Sequence, residues 1–400
     1  MEAAAWAWHR GCSVLVSDAV HLSLSGPRIF LSAGEPSGDL HGARVAESLR
    51  RRWPGAELVG LGGDRMAAAG VELMAHVDQL AVMGFVEVLR HLPYFVDLMK
   101  RVKRSLAERP PDLVIPIDYP GFNLRLARHA RDHAMPVLYY IAPQVWAWHR
   151  SRMKQLARNT DRLAVILPFE AELFREAGAN ATFVGHPLLD QPPPIASRAE
   201  FLRALGVDPA RPVLALFPGS RAQEVARQLR VFIAAGQAVQ ERMPQVQTVL
   251  AESAAVPAEA YAAAPMPRTR DGWALLHHAR AALVKSGTST LQAALAGTPL
   301  VVTYRVHPLT FFMARRLVRV PHVGLVNLVA GERIAPELLQ DDATPDRLAN
   351  ALLPLLTEHS AERQSAIAGL ARVRKALEPP AAARSAADRV ADLAAELIGA

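Results

Sequence analysis

Short apolar runs alternate with helical patterns along this chain, and the whole series occurs twice. Strand-like runs lie at residues 29–32, 57–60, 113–117, 137–141 and 163–167, and again at 213–217, 248–251, 282–285 and 300–303. Helical patterns separate them, for example at residues 41–52, 124–133, 222–242 and 290–295. Strands that alternate with helices are typical of a parallel sheet covered on both faces. The pattern therefore predicts an α/β protein with two parallel sheets.

A proline-rich segment separates the two series. Residues 187–197 include Pro192, Pro193 and Pro194, which is typical of a linker. We predict two tandem Rossmann-like domains whose sheets face each other. Because ligands of open α/β sheets bind beyond the carboxyl ends of the strands, a cleft is expected between the domains. The predicted limits are 27–186 and 198–378 for the domains and 379–400 for a C-terminal helix, after helical patterns at about 361–377 and 382–397.

The first 26 residues lie outside this pattern. They contain a short apolar run at residues 12–16, but Asp18 interrupts it and no clear small-residue cleavage site follows. We interpret residues 1–26 as a disordered extension or a mis-assigned start rather than a signal peptide. Elsewhere the apolar runs fall well short of the roughly 18 to 20 residues that a membrane-spanning helix needs.

The composition limits the partners of the chain. Its 45 Lys and Arg residues exceed its 38 Asp and Glu residues, for a formal net charge of +7. This mild basic bias suits a phosphate-bearing ligand or an anionic membrane face, and it is too weak and dispersed to indicate nucleic acid. With Cys12 as its one cysteine, the chain can form no intramolecular disulfide and no thiol-based zinc site, which fits a reducing compartment.

Two strand-to-helix loops in the second series suit a phosphate group. In FPGSRAQEV and VKSGTST, a strand runs through a small-residue turn into a helix, whose first backbone N–H groups attract anions. The second loop lacks Walker A spacing. The alternatives are a plain loop with a solvated arginine and an ordinary Ser/Thr helix cap. Two such loops together favour a diphosphate site. The candidate residues are Gly219, Ser220, Arg221, Ser286, Gly287 and Thr288.

Asp118 follows the buried strand predicted at residues 113–117. A carboxylate at the carboxyl end of such a strand lies where the cleft is expected, and there it could accept a proton from a sugar hydroxyl. The alternative is a carboxylate that caps the next helix.

Residues 81–104 form an amphipathic stretch with a basic end, in which Pro93 predicts a division into two helices. An apolar face beside basic residues can lie in a membrane interface, but most amphipathic helices pack on a core, and the pattern alone favours packing. The residues concerned are Phe85, Val88, Leu89, Leu92 and Phe95 on the apolar face, and Lys100, Arg101, Lys103 and Arg104 at the end.

The chain resembles the lipid-A-disaccharide synthases from about Arg28 to its final helices. Each motif is modest alone, but the ordered set is highly specific. The matching motifs include SAGEPSGDLHGA, GLGGDRM, LAVMGFVEVL, PDLVIPIDYPGFN, YYIAPQVWAWHRSR, FVGHPLLD, FPGSRAQEV, SGTSTLQAALAGTP, TYRVHPLTFFMARRLV and GLVNLVAGE.

The resemblance implies a GT-B type glycosyltransferase, with the acceptor mainly on the first half and the UDP-sugar mainly on the second. Such enzymes condense UDP-2,3-diacylglucosamine with 2,3-diacylglucosamine 1-phosphate (lipid X), and they release UDP. The product is the β-1,6-linked disaccharide 1-phosphate, so the anomeric carbon is inverted. The resemblance further implies a cytoplasmic enzyme without a cofactor, peripherally bound to the inner membrane, with a possible homodimer.

The resemblance also assigns expected roles to individual residues. Asp118 matches the proposed base, Arg221 matches an arginine thought to meet donor phosphate, and Ser286, Gly287 and Thr288 would cradle the diphosphate without a metal. Residues 81–104 match an element suited to membrane docking, which makes docking the favoured interpretation there. The remaining expected contacts are Gln292, Arg305 and Asn327 on the donor side, and Glu35, Ser37, Asp39 and Met83 on the acceptor side.

Two positions depart from many relatives. Gln292 stands where they carry a glutamate that typically binds the ribose hydroxyls, and an amide hydrogen-bonds without charge, so donor affinity or nucleotide choice can differ. Gly121 stands where some carry a second aspartate, which leaves Asp118 as the acidic candidate of its motif. The alternatives that stay open are a UDP-sugar 2-epimerase, another glycan glycosyltransferase, and a non-catalytic membrane-docking module that binds UDP-sugars.

Overall fold

The structure is a computed structural model that describes residues 26–80, 85–145, 150–306, 321–380 and 383–399, with the backbone alone at 85–91 and 150–151. The predictions made for residues 1–25 and for Met83 therefore lie outside the described residues, and those for the side chains of Phe85, Val88 and Leu89 do as well.

The first half is a parallel α/β layer structure. Strands pair in the order β3-β2-β1-β4 and β5-β6-β7, and isolated parallel bridges from Val114 to Val137 and from Ile117 to Tyr140 join β4 to β5. The strand order reverses between β1 and β4, which is the Rossmann arrangement. The strands are β1 Arg28–Ser32, β2 Glu57–Gly62, β3 Glu72–His76, β4 Leu113–Pro116, β5 Leu138–Tyr140, β6 Arg162–Val165 and β7 Ala181–Phe183. The helices are α1 Pro36–Arg52, α2 Asp64–Ala68, α3 Phe85–Glu108, α4 Pro120–Asp132, α5 Arg150–Asn159 and α6 Pro168–Glu176.

The second half repeats this arrangement. Its six parallel strands pair in the order β10-β9-β8-β11-β12-β13, with the reversal between β8 and β11. The strands are β8 Val213–Phe217, β9 Gln247–Ala251, β10 Arg268–Thr269, β11 Ala281–Lys285, β12 Leu300–Tyr304 and β13 Glu337–Leu339. The helices are α7 Arg198–Ala204, α8 Ala222–Arg242, α9 Gly272–His278, α10 Thr288–Ala296, α11 Leu325–Ala330, α12 Pro345–Leu356 and α13 Ala361–Leu377. The predicted fold of two Rossmann-like halves is confirmed.

The central strands are buried along their whole length. Every residue of β4 and of β8 is buried, because helices cover both faces of each sheet. This explains why these strands occur in the sequence as continuous apolar runs rather than as alternating patterns.

The last helix, α14 (Ala386–Ile398), returns to the first half. Its buried residues Val390 and Leu393 join the core around Leu49 of α1, and Asp388 forms an ion pair with Arg51 at 2.6 Å. The two segments by which the chain passes between the halves run side by side, since the His186 N–H donates to the Leu377 carbonyl at 2.9 Å. The domain limits predicted from the sequence stay a prediction, and α14 adds a distant stretch of chain to the first half.

Helix α3 is continuous, so the predicted division at Pro93 is wrong. Pro93 is exposed, so water can satisfy the carbonyl that its missing N–H leaves free. The second part of the helix is held by Leu98, Val102 and Leu106, which are fully buried. Within the described residues, no helix combines the length and the apolar character required to cross a bilayer.

The docking of α14 predicts a measurable loss of stability when its core contact is shortened. Leu393 is fully buried, so we expect Leu393→Ala to lower the free energy of unfolding by about 2–5 kcal/mol through lost burial and a residual cavity. Chemical denaturation measures this change. The control is Ile367→Ala on α13, where the side chain is 41% exposed and the expected change is within about 0.5 kcal/mol. Equal effects of the two substitutions would contradict the docked position of α14.

Candidate active site

Two adjoining cavities open at the carboxyl ends of the strands, between the two halves. One, of about 290 Å³, is lined by Asp118 and His186 of the first half and by Thr288 of the second. We call it the Asp118 cavity. The other, of about 420 Å³, is lined by Arg221 and Lys285 together with the same Thr288. We call it the Arg221 cavity. The predicted proton acceptor and the predicted phosphate loops therefore meet in one cleft.

Asp118 sits in a strained turn between β4 and α4. Asp118 and Tyr119 have φ angles of 46° and 51°, and left-handed backbone is costly for residues other than glycine. The fully buried Asn123 on α4 stabilises this turn by directing its amide nitrogen at the carbonyls of Ser32, Ile117 and Asp118, at 3.0, 3.1 and 2.8 Å. The Ser32 hydroxyl donates in turn to the Asn123 side-chain oxygen at 2.6 Å.

Two tyrosines complete the support of this turn. The Tyr139 hydroxyl donates to the Asp118 carbonyl at 2.8 Å, and the Tyr119 hydroxyl donates to the Leu80 carbonyl at 3.1 Å. The Tyr119 ring lies directly against Gly34, where an added Cβ would stand 2.2 Å from the ring. A glycine is therefore required at position 34 for the ring to lie there.

The surroundings of Asp118 favour its protonated form. Burial, and then the negative charge of Glu35, raise the pKa of the half-buried Asp118 carboxyl to about 6. A carboxylate with that pKa is ionised at neutral pH and is a stronger base than an ordinary aspartate. Glu35 itself is exposed at the start of α1.

Two neutral histidines line the Asp118 cavity, and both were missed from the sequence. Burial, followed by the charge of Arg44, lowers the pKa of His41 to about 4. Burial, followed by the neighbouring His41, lowers the pKa of His186 to about 3. The His186 Nδ1 accepts from the Leu188 N–H at 3.2 Å, so its proton resides on Nε2. Their motifs, GDLHGA and VGHPL, were available signals, but neither histidine stands out by spacing.

The residues predicted on the acceptor side lie in different places. Ser37 lines the Asp118 cavity and Glu35 acts on Asp118 through its charge. Asp39 stays a prediction as an acceptor-side residue, and its buried carboxylate is directed at the turn that begins α2. It accepts from the backbone N–H groups of Gly63, Arg65 and Met66 at 2.6, 3.2 and 3.0 Å. Asp39 therefore joins α1 to the β2–α2 turn rather than facing the cavity.

The two predicted phosphate loops lie side by side in the Arg221 cavity. Ser220 and Arg221, which follow Gly219, precede α8, and Arg221 is exposed. Gly287 and Thr288 begin α10, and the φ of 148° at Gly287 favours glycine. The Ser286 hydroxyl is already committed, since it donates to the Val323 carbonyl at 2.8 Å. An anion at this second loop would therefore meet its backbone N–H groups and Thr288.

Asn327 stays a prediction as a donor contact, and the structure places its side chain among internal partners. It is fully buried, and all of its hydrogen-bonding capacity is used internally. Its amide nitrogen donates to the Ala335 carbonyl and to Glu337 at 2.9 and 2.8 Å, and its oxygen accepts from the N–H groups of Ile334 and Ala335 at 3.0 and 2.9 Å. In this structure the side chain of Asn327 therefore holds the segment at residues 334–337 beside α11.

Glu337 is the partner that sequence reasoning missed. Its carboxylate accepts from the backbone N–H groups of Val323 and Gly324 at 3.0 and 2.9 Å, and so fixes the edge of the Arg221 cavity. Gln292 on α10 and Arg305 after β12 are half-buried, and the described lining of the two cavities includes neither. In the described ranges no group of three or more His, Cys, Asp or Glu side chains could hold a metal ion.

Most of the chain matches the model of one protein family. A profile described as lipid-A-disaccharide synthetase matches residues 29–388. The lipid-A-disaccharide synthase of Acidobacterium capsulatum is 44% identical in an alignment of 391 positions that covers 94% of this chain and 97% of that protein. Those of Coxiella burnetii and Geobacter sulfurreducens are 41% identical, over 92% and 93% of this chain and 99% and 97% of theirs. The chain belongs to the lipid-A-disaccharide synthase family. It is therefore an enzyme, a glycosyltransferase of lipid A biosynthesis.

Solved structures share the fold at low identity. The calicheamicin glycosyltransferase is 19% identical with a TM-score of 0.57, over 93% of this chain and 98% of its own. A UDP-GlcNAc 2-epimerase from Neisseria meningitidis, bound to UDP-GlcNAc, is 8% identical with a TM-score of 0.58, over 92% and 98%. At these identities the likeness shows the fold alone. The choice among the alternatives left open by the sequence rests on the family instead: it excludes a UDP-sugar 2-epimerase and a non-catalytic module.

The raised pKa of Asp118 predicts a pH-dependent effect on stability. The folded carboxyl keeps its proton up to about pH 6, and the unfolded one only up to about pH 4. Ionising Asp118 in the folded protein therefore lowers the free energy of unfolding. This loss increases between the two pH values and stays constant above them. We expect Asp118→Asn to stabilise the protein at pH 8 by up to about 3 kcal/mol, and by little at pH 4. Denaturation at both pH values measures this difference. Asp132→Asn, at an exposed carboxylate of α4, is the control. An equal change in the free energy of unfolding at both pH values would contradict a raised pKa of Asp118.

Proposed function

We propose that the cleft condenses UDP-2,3-diacylglucosamine with 2,3-diacylglucosamine 1-phosphate in a single inverting displacement, with Asp118 as the base. The acceptor 6-hydroxyl gives its proton to the Asp118 carboxylate while its oxygen forms a bond to the anomeric carbon of the donor. The bond from that carbon to the diphosphate breaks, and UDP leaves with the electron pair. The products are the β-1,6-linked disaccharide 1-phosphate and UDP.

One observation carries this proposal. Asp118 lines a cavity that is shared with Thr288, the first residue of the helix after the second phosphate loop. An acceptor hydroxyl beside Asp118 would thus be next to a donor whose diphosphate meets the start of α10. The strained and well-supported turn at Asp118 and its raised pKa are typical of a catalytic position.

The donor diphosphate is proposed to lie in the Arg221 cavity. The α8 and α10 helices both begin there, so their first backbone N–H groups and the Arg221 guanidinium can meet its oxygens. These groups stabilise the charge that develops on UDP as it leaves. Gln292 and Arg305 stay predictions as donor contacts, and ribose recognition by Gln292 would use hydrogen bonds without charge.

Membrane docking is proposed for the first part of α3. Leu92 and Val96 are each 49% exposed, one helical turn apart, although large apolar side chains are usually buried. Lys100 follows one turn later and Lys103 is exposed on the same side, where lysines can meet anionic lipid head groups. Leu98, Val102 and Leu106 attach the opposite face to the core. This arrangement supports peripheral binding to the cytoplasmic face of the inner membrane.

A homodimer stays a prediction, which light scattering would check.

The proposed base predicts the effect of removing it. We expect Asp118→Ala to lower acceptor-dependent UDP release by about 10²- to 10⁴-fold, the usual contribution of a general base. The measurement is UDP release from UDP-2,3-diacylglucosamine with and without lipid X. Asp132→Ala, at an exposed carboxylate of the following helix, is the control and should keep full activity.

The same base predicts the pH dependence of the wild type. Since the pKa of Asp118 is raised to about 6, activity should fall roughly tenfold per pH unit below that value. If the Asp118→Ala variant kept full activity, Asp118 would not be the base, although the proposed reaction would stand. If UDP were released without the acceptor, the proposed reaction itself would be wrong.

The proposed docking face predicts a loss of vesicle binding. Replacing both Leu92 and Val96 with serine should weaken co-sedimentation with vesicles rich in anionic phospholipid, because apolar contact area is lost. Ile367→Ser is the matched control, since Ile367 is also exposed but lies on α13. Retained vesicle binding in the double variant would assign docking to another surface.

A further inference from the structure

A half-buried lysine ends β11, directly before Ser286 of the second phosphate loop. The Lys285 side chain is 15% exposed, and its Nζ lies 2.7 Å from Oε1 of Glu224, whose side chain is 18% exposed. Withdrawing two charges from water is costly, and a neutral pair of similar shape is often as stable. An ion pair in this position therefore calls for a reason other than stability.

The surroundings fix where the ammonium lies. It is 5.1 Å from the centroid of the Tyr304 ring, within the range of a cation–π contact. An added Cβ on Gly287 would stand 3.7 Å from Nζ, so the ammonium lies over the open side of the turn that begins α10. Lys285, Glu224 and Tyr304 all line the Arg221 cavity. The positive charge thus faces the space next to a helix N-terminus.

Glu224 fixes the Lys285 ammonium through one of its three N–H donors. Its Oε1 accepts from Lys285, and its Oε2 accepts from the Ser220 N–H of the first phosphate loop at 3.0 Å. The carboxylate is thus a bridge between the two loops. Although burial alone would raise the pKa of Glu224, the hydrogen bond and charge of Lys285 lower it, so the bridge is ionised. An ammonium has three N–H donors, and one is given to Glu224.

We propose that Lys285 binds the donor diphosphate, with Glu224 as the residue that positions its ammonium over the α10 turn. The remaining N–H donors contact phosphate oxygens, and the positive charge acts together with Arg221 on the leaving UDP. This inference rests on the proposed function, which puts the diphosphate in the Arg221 cavity. It adds a second cation to that cavity, a residue that the candidates named from the phosphate loops did not include.

The test separates recognition of phosphate from support of the fold. Lys285→Met alone leaves the half-buried Glu224 carboxylate without its cationic partner. The informative comparison is therefore Glu224→Gln against the double variant Glu224→Gln/Lys285→Met. Both lack the ion pair, and they differ in the ammonium alone. Binding of UDP and of uridine is measured by calorimetry or by competition. Lys375→Met, at an exposed lysine of α13, controls for the change in net charge.

The double variant should bind UDP about tenfold more weakly than Glu224→Gln, the usual size of a charge-assisted contact, and should bind uridine equally well. Lys375→Met should match the wild type for both ligands. Equal losses for UDP and uridine, or unchanged UDP binding, would overturn the proposal. If the double variant does not fold, Glu224→Gln/Lys285→Gln replaces it, with the same expected selectivity. A wild type that fails to bind UDP would overturn the donor site itself, and this outcome is distinct because it needs no variant.

Discussion

The carboxamide of Asn123 is the interaction on which the cleft depends. It ties together the ends of β1 and β4, where the strand order of the first sheet reverses, and it stabilises two left-handed residues in succession. Without that amide, three carbonyls would lose a buried donor at the point where the strand order of the sheet reverses. The position of Asp118 is thus set by a fully buried neighbour on the next helix.

Much of the fold follows from apolar patterning. Helices α8 and α13 begin and end where the sequence predicts them, since both have long periodic stretches with clear flanking residues. The strands β7, β10 and β13 were missed because they are two or three residues long at or near sheet edges, too short for any periodicity. Pro93 shows the opposite failure, in which a strong local rule was overridden by the packing of the rest of the helix.

The site could be predicted in part. Asp118 and the two small-residue loops were found because strand ends in such sheets converge on one edge. The hydrogen-bond partners of Asp39 and Asn327 could not be predicted, since a polar residue in a motif can bind backbone groups as well as a ligand. Partners such as Gly63 and Ala335 are visible in the folded chain alone. The same holds for the Glu224–Lys285 pair, which joins residues 61 positions apart.

The return of α14 to the first half has a mechanical consequence. Two segments of the chain cross between the halves, and a backbone hydrogen bond from His186 to Leu377 joins them. His186 therefore belongs both to this paired crossing and to the cavity wall beside Asp118. A movement of one half against the other that strained the crossing would also reach the wall of the Asp118 cavity.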